Sequence, residues 1–125
     1  MAADWTAVGR ALAVVRRFVE EAGLNRDEAE RLAIVVEEWI ANIVEHGGPP
    51  ADSRIGLGLA QRPGVVRITM TDAGGVFDPR QAKQGGPNLD RGGGAGLALM
   101  HAWSRVAAYR RRGGRNRLVL EMPVA

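Results

Sequence analysis

The sequence predicts a two-layer α/β sandwich of the α+β kind, with a mostly antiparallel sheet covered on one face by helices. Three observations carry this. Two segments with apolar residues at helical spacing come first. Two pairs of short alternating segments follow, each pair joined by turn residues, and a further helical segment lies between the pairs. Strands joined by tight turns pair antiparallel, and helices must cover the one apolar face such a sheet leaves. With 125 residues, no internal repeat and no interior linker, the chain reads as a single domain over residues 1–125.

The elements follow in order. In residues 4–22, Trp5, Val8, Leu12, Val15 and Val19 recur at spacings of 3, 4, 3 and 4, giving an amphipathic helix with Asp4 as its cap and Gly23 as its stop. A second helix starts after Asn25 or Asp27 and runs to about His46, with Leu32, Val36, Trp39 or Ile40, and Ile43 facing inward. "GGPP" ends it, because proline cannot continue a helix. Residues 53–61 alternate through Ile55, Leu57 and Leu59; "RPG" turns the chain; residues 65–72 alternate through Val66, Ile68 and Met70. Regularity then fades from Ala73 to Gly94, apart from a short helical turn at "FDPRQAK". Residues 95–106 form a helix that begins directly after the glycines. "VAAYRRR", "GGRN" and "RLVLEMPV" close the chain as a hairpin.

Composition bounds the function. Hydrophobic residues make up 46% and charged residues 25%, as in ordinary globular domains. No apolar run approaches the roughly 20 residues of a membrane span, and the N-terminus lacks the pattern of a secretory signal. The expectation is a cytoplasmic protein without a membrane partner. The absence of cysteine removes disulfides, thiolate metal sites and cysteine nucleophiles. Net charge is +3, and "YRRRGGRNR" holds five arginines. That run reads as a solvated hairpin tip before it reads as a nucleic-acid patch, since no aromatic residue beyond Tyr109 is interleaved.

Three stretches carry chemistry. Glu38 and Asn42 lie four residues apart and so share one side of the second helix. The amide offers an oxygen ligand to magnesium, and the carboxylate can orient a water or accept a proton. "TDAGGVFDP" places Asp72 at a strand end, ready to accept a hydrogen bond from an exocyclic amino group. Gly74 and Gly75 after it let the chain pass close beneath a flat ring. "GGGAGLAL" runs glycines into a helix N-terminus, where unpaired N–H groups and the helix dipole favour phosphate. Each stretch alone also fits ordinary structure: an exposed pair, a plain turn, a flexible loop. There is no Gly-Lys-Ser/Thr for a Walker A loop, and the glycine run does not follow a first strand as a dinucleotide fingerprint does.

In this order the three stretches resemble the boxes of the GHKL-superfamily ATP-binding domain. Within that superfamily the chain is most similar to the bacterial anti-sigma-factor serine/threonine kinases, from about Asp4 to Val124. Glu38, Asn42 and "VEHGG" resemble the N box, "DAGGVFDP" the G1 box, "GAGLAL" the G2 box, and residues 79–93 the ATP lid. The resemblance implies a Bergerat-type fold binding ATP and Mg2+. Glu38 would then be the general base, Asn42 the metal ligand and Asp72 the adenine-reading residue. Gly74, Gly75 and Val76 would form the adenine wall. Gly92, Gly93, Gly94, Ala95, Gly96 and Leu97 would lie along the phosphates, and His46 would stand beside the ligand or serve the fold. Val76 departs from the family, which carries a glycine two residues after Gly74; Asn116 and Arg117 stand where a Thr or Ser is usual.

The function so implied is an anti-sigma kinase that phosphorylates a small STAS-type anti-anti-sigma antagonist and exchanges it for a sigma factor, as a homodimer. The alternative is a non-catalytic, ATP-gated protein-binding module of the same fold. Nucleic acid is not an expected partner.

Overall fold

The computed structural model describes residues 1–76 and 93–125, with backbone alone for residues 93–97. The elements are α1 (Thr6–Ala22), α2 (Arg26–His46), β1 (Gly56–Arg62), β2 (Val65–Asp72), α3 (Gly93–Trp103), β3 (Arg105–Arg112) and β4 (Arg115–Pro123). The strands form one antiparallel sheet in the order β1-β2-β4-β3, so the last strand lies inside the sheet beside β2. The helices cover one face, with α2 packed between α1 and α3. This is the predicted α+β sandwich.

The core lies between the layers. Val66, Ile68 and Met70 from β2 and Leu118, Leu120 and Met122 from β4 meet Leu32, Val36, Trp39, Ile40 and Ile43 from α2. Both Trp39 and Ile40 are buried, which resolves the alternative left by spacing. Asn25 is the α2 cap: its side chain accepts from Glu28 N at 2.8 Å while Glu28 Oε1 accepts from Asn25 N at 2.9 Å, a reciprocal capping box.

The first helix differs from its apolar pattern. Its buried face is Ala7, Ala11 and Val15, whereas Trp5 is 58% exposed and Val8, Leu12 and Val19 are half-buried. Small alanines let α1 approach the core closely, and that packing outweighs the bulkier stripe beside it. Asp4 precedes the helix by two residues, and its Oδ1 accepts from Thr6 N at 2.9 Å. The third helix also differs. It includes Gly93, Gly94 and Gly96 and ends at Trp103, where Ser104 N and Oγ both bond back to Met100 O. Arg105 and Val106 are therefore strand, not helix. The proposed turn at "FDPRQAK" lies outside the described residues. The closing turn is Gly113-Gly114, with φ of 58° and 75°, the two positive values that a two-residue hairpin loop of this hand needs.

On the uncovered sheet face Glu121 stands between its cross-strand neighbours Arg67 and Arg105. It accepts from Arg67 at 3.0 Å and from Arg105. The Arg67 hydrogen bond, then the charges of Arg105 and Arg67, hold its carboxyl below the ordinary value of 4.5. A depressed folded value stabilises the fold above the unfolded value and loses that contribution as pH falls through the folded one. The melting temperature of the native chain is expected to drop more steeply than that of Glu121→Gln as pH is lowered from about 5 to about 3. Parallel melting curves for the two chains would refute this.

Candidate functional site

The end of β2 and the end of α2 meet at one place. Asp72 closes β2 opposite Asn116 of β4 and is buried, 6% exposed. Its Oδ1 accepts from Gly74 N at 2.8 Å and from Asn116 Nδ2 at 3.1 Å. The same Nδ2 lies 3.2 Å from Gly74 O and 2.9 Å from Gly75 O. Asn116 Oδ1 in turn accepts from the Tyr109 hydroxyl at 2.6 Å and from Arg111 at 3.0 Å, and Arg111 also reaches Gly74 O at 2.7 Å. One amide thus uses its donor and acceptor ends to fix the carboxylate and the loop after it, as a buried polar network requires. Sequence reasoning marked Asn116 as a departure but missed Tyr109 and Arg111. Their signal was register: strands joined at Gly113-Gly114 place residues 109, 111 and 116 together on the helix-facing side.

Gly74 is needed for close approach, not for an unusual φ. A Cβ on it would stand 2.7 Å from Gly47 O and 2.9 Å from Asp72 Oδ1. Gly75 N donates to the same Gly47 O at 2.7 Å, so the loop is tied to the end of α2. Val76 is 70% exposed and not at positive φ, so this backbone makes no demand there for the family's glycine. Gly74→Ala is expected to cost about 1–3 kcal/mol, the range for forced overpacking. Chemical denaturation checks it; an unchanged midpoint would show that the loop yields freely.

Beside this network lies a cavity of about 360 Å³, open mouth included, lined by Trp39, Asn42, Ile43, His46, Gly47, Asp72, Gly75, Tyr109, Asn116 and Leu118. Asn42 and Asp72, far apart in sequence, therefore border one space. His46 lines it too, at the exposed end of α2. Gly74 is buried behind it, and Glu38, one turn before Asn42, is half-buried and not among the described lining residues. Burial, then the neighbouring Glu37 charge, raises the Glu38 carboxyl above 4.5 and makes its carboxylate the stronger proton acceptor. Gly93, Gly94, Ala95, Gly96 and Leu97 form the first turns of α3, whose leading N–H groups have no partner within the helix. Gly92, Phe77, Asp78 and nearly all of the proposed lid lie outside the described residues.

Helices on one face of an antiparallel sheet, with an aspartate and close-packed glycines at a strand end and an asparagine facing them from a helix, define an ATP-binding domain of the GHKL superfamily. The chain belongs to the histidine kinase-like ATPase domain family, whose pattern it matches over residues 1–122. Its fold is similar to the blue-light activated histidine kinase of Erythrobacter litoralis EL346, with a TM-score of 0.60 and 19% identity over 81% of this chain and 32% of that one. It is also similar to the separate histidine kinase domain of that protein, with a TM-score of 0.58 and 16% identity over 94% of this chain and 59% of that one. The chain spans about a third of the first and under two thirds of the second. A search of the curated proteins gave no match.

The donor set fits the nucleotide and cation that the family implies. Asp72 carries an acceptor beside an apolar wall of Trp39, Ile43 and Leu118, suited to the amino edge of a purine. Asn42 offers a neutral oxygen. Among the described residues no cluster of three His, Cys, Asp or Glu could hold a metal; a magnesium ion held through Asn42 would take its remaining ligands from phosphate and water. Among the described residues no helix is long and apolar enough to cross a membrane.

Proposed function

We propose that this chain binds Mg-ATP in the cavity between α2 and the β2 end and transfers the γ-phosphoryl group to a serine or threonine hydroxyl of a small STAS-type antagonist. It would thereby act as a cytoplasmic, homodimeric anti-sigma kinase. The observation that carries the reading is the meeting of Asn42 and Asp72 on one cavity from opposite layers. In this reading Asp72 accepts from the adenine amino group. Asn42 holds the magnesium ion, which neutralises phosphate charge when bound. The start of α3 presents N–H groups to the phosphates. Glu38 draws the proton from the attacking hydroxyl; one bond forms from that oxygen to phosphorus as the bond to the ADP oxygen breaks.

Transfer from γ-labelled ATP to the purified antagonist tests this. Acid-stable label on Ser or Thr supports it, and acid-labile label, as on histidine, or none refutes it. The acid limb of the rate profile is expected above pH 4.5, because an active base must be ionised and burial raises Glu38. A second reading has its own observation: Glu38 stands outside the described cavity lining. In a non-catalytic, ATP-gated module Glu38→Ala leaves ATP-dependent partner release intact, whereas the kinase reading requires its loss.

A further inference from the structure

The two layers carry opposite charge. Residues 1–53 hold ten carboxylates against five arginines, while the described residues from 54 onward hold nine arginines against Asp72 and Glu121. On the uncovered sheet face the imbalance concentrates at one end. Arg110 lies directly opposite Arg117, and Arg112 opposite Arg115. All four are exposed. Arg111 is excluded from this group because alternation turns it to the other side, onto Gly74 and Asn116. Glu121 is excluded as a counter-charge because Arg67 and Arg105 already hold it at the other end of the strand. Like charges directly across a strand pair destabilise the sheet. An anionic ligand removes that repulsion and adds charge-assisted, bidentate bonds.

We propose that this arginine quartet is a docking site for a short carboxylate-rich segment of a protein partner. Its size decides between anions. Alternate residues on a strand stand about 6.7 Å apart and neighbouring strands about 4.8 Å apart, which matches a few carboxylates. Four arginines neutralise at most about four duplex phosphates, a small share of the counterion release that drives duplex binding. A single nucleic-acid strand needs stacking aromatics, and Tyr109 faces the other side, onto Asn116. The inference is independent of the ATP reading, although Arg115 and Arg117 flank Asn116 and so lie behind the floor of that cavity.

The test is fluorescence anisotropy at low ionic strength with a labelled Glu-Gly repeat peptide and, separately, a labelled DNA duplex. The full chain is compared with Arg110→Ser/Arg117→Ser and with a control, Arg16→Ser/Arg17→Ser, on the exposed side of α1. The peptide is expected to bind the native chain, to lose about tenfold or more in the sheet variant and to change little in the control. A sheet-variant melting temperature at or above native confirms that the fold is kept. Absence of peptide binding by the native chain, equal losses in both variants, or tighter binding of the duplex that the sheet variant abolishes would each overturn the proposal.

Discussion

Asp72→Asn is expected to weaken ATP binding by about 10- to 100-fold, the equivalent of one charged hydrogen bond of about 1.5–3 kcal/mol, with little change in melting temperature. The two effects separate because the carboxylate has two jobs. Its Oδ1 accepts from Gly74 N and Asn116 Nδ2. An asparagine oxygen can occupy that position and keep both bonds. The other oxygen would then become an NH2 group, turning an acceptor toward the base into a donor. The adenine amino group would lose its partner, and a carbonyl-bearing purine would gain one. Titration calorimetry with ATP and GTP on both chains checks this. Equal ATP affinity would show that Asp72 does not read the base; a collapsed melting temperature would show that its role is the fold alone.

Leu120→Ala carries the largest expected cost in stability, about 2–5 kcal/mol, the range for truncating a fully buried leucine. Leu120 has no exposed surface. It pairs with Ile68 on one side and Val106 on the other, in a strand flanked on both edges. Neighbours on two strands cannot close the void together without shifting the sheet. Leu59→Ala on the edge strand is the comparison, since that side chain is only half-buried and pairs with one strand. Urea unfolding of both variants should show the Leu120 midpoint falling further; similar shifts would mean that the central position confers no extra rigidity.

Much of this was legible in the sequence, where local pattern and tertiary demand agreed. Residues 65–72 alternate through Val66, Ile68 and Met70 and became β2 with those bounds, because a strand with one buried face admits one register. The α2 cap and stop are local chemistry, and the second helix ends where the prolines required. The rest depended on what lies across the fold. Periodicity located the first helix but not its inward face, since a stripe of large residues and a stripe of alanines fit the same spacing and only the partner helix chooses. At the site, the types of Asp72 and Gly74 were legible. That Gly74 answers to Gly47 O was not, because the constraint comes from a residue 27 positions earlier. The network through Tyr109, Arg111 and Asn116 depends on strand pairing that no single segment encodes. The order β1-β2-β4-β3 was likewise hidden, since turns reveal hairpins and not which hairpin strands meet.

That order has a consequence for how the chain is made. Arg115–Pro123, which follows the other described strands in sequence, is the one both other parts of the sheet require, because β2 and β3 touch no common strand but β4. On the ribosome, α1, α2 and the first hairpin emerge early with an apolar surface and nothing to lay against half of it. Closure of the sheet therefore waits for β4, and until that strand pairs with β2 the apolar faces of β2 and α2 lack the side chains that fill half of the core between them.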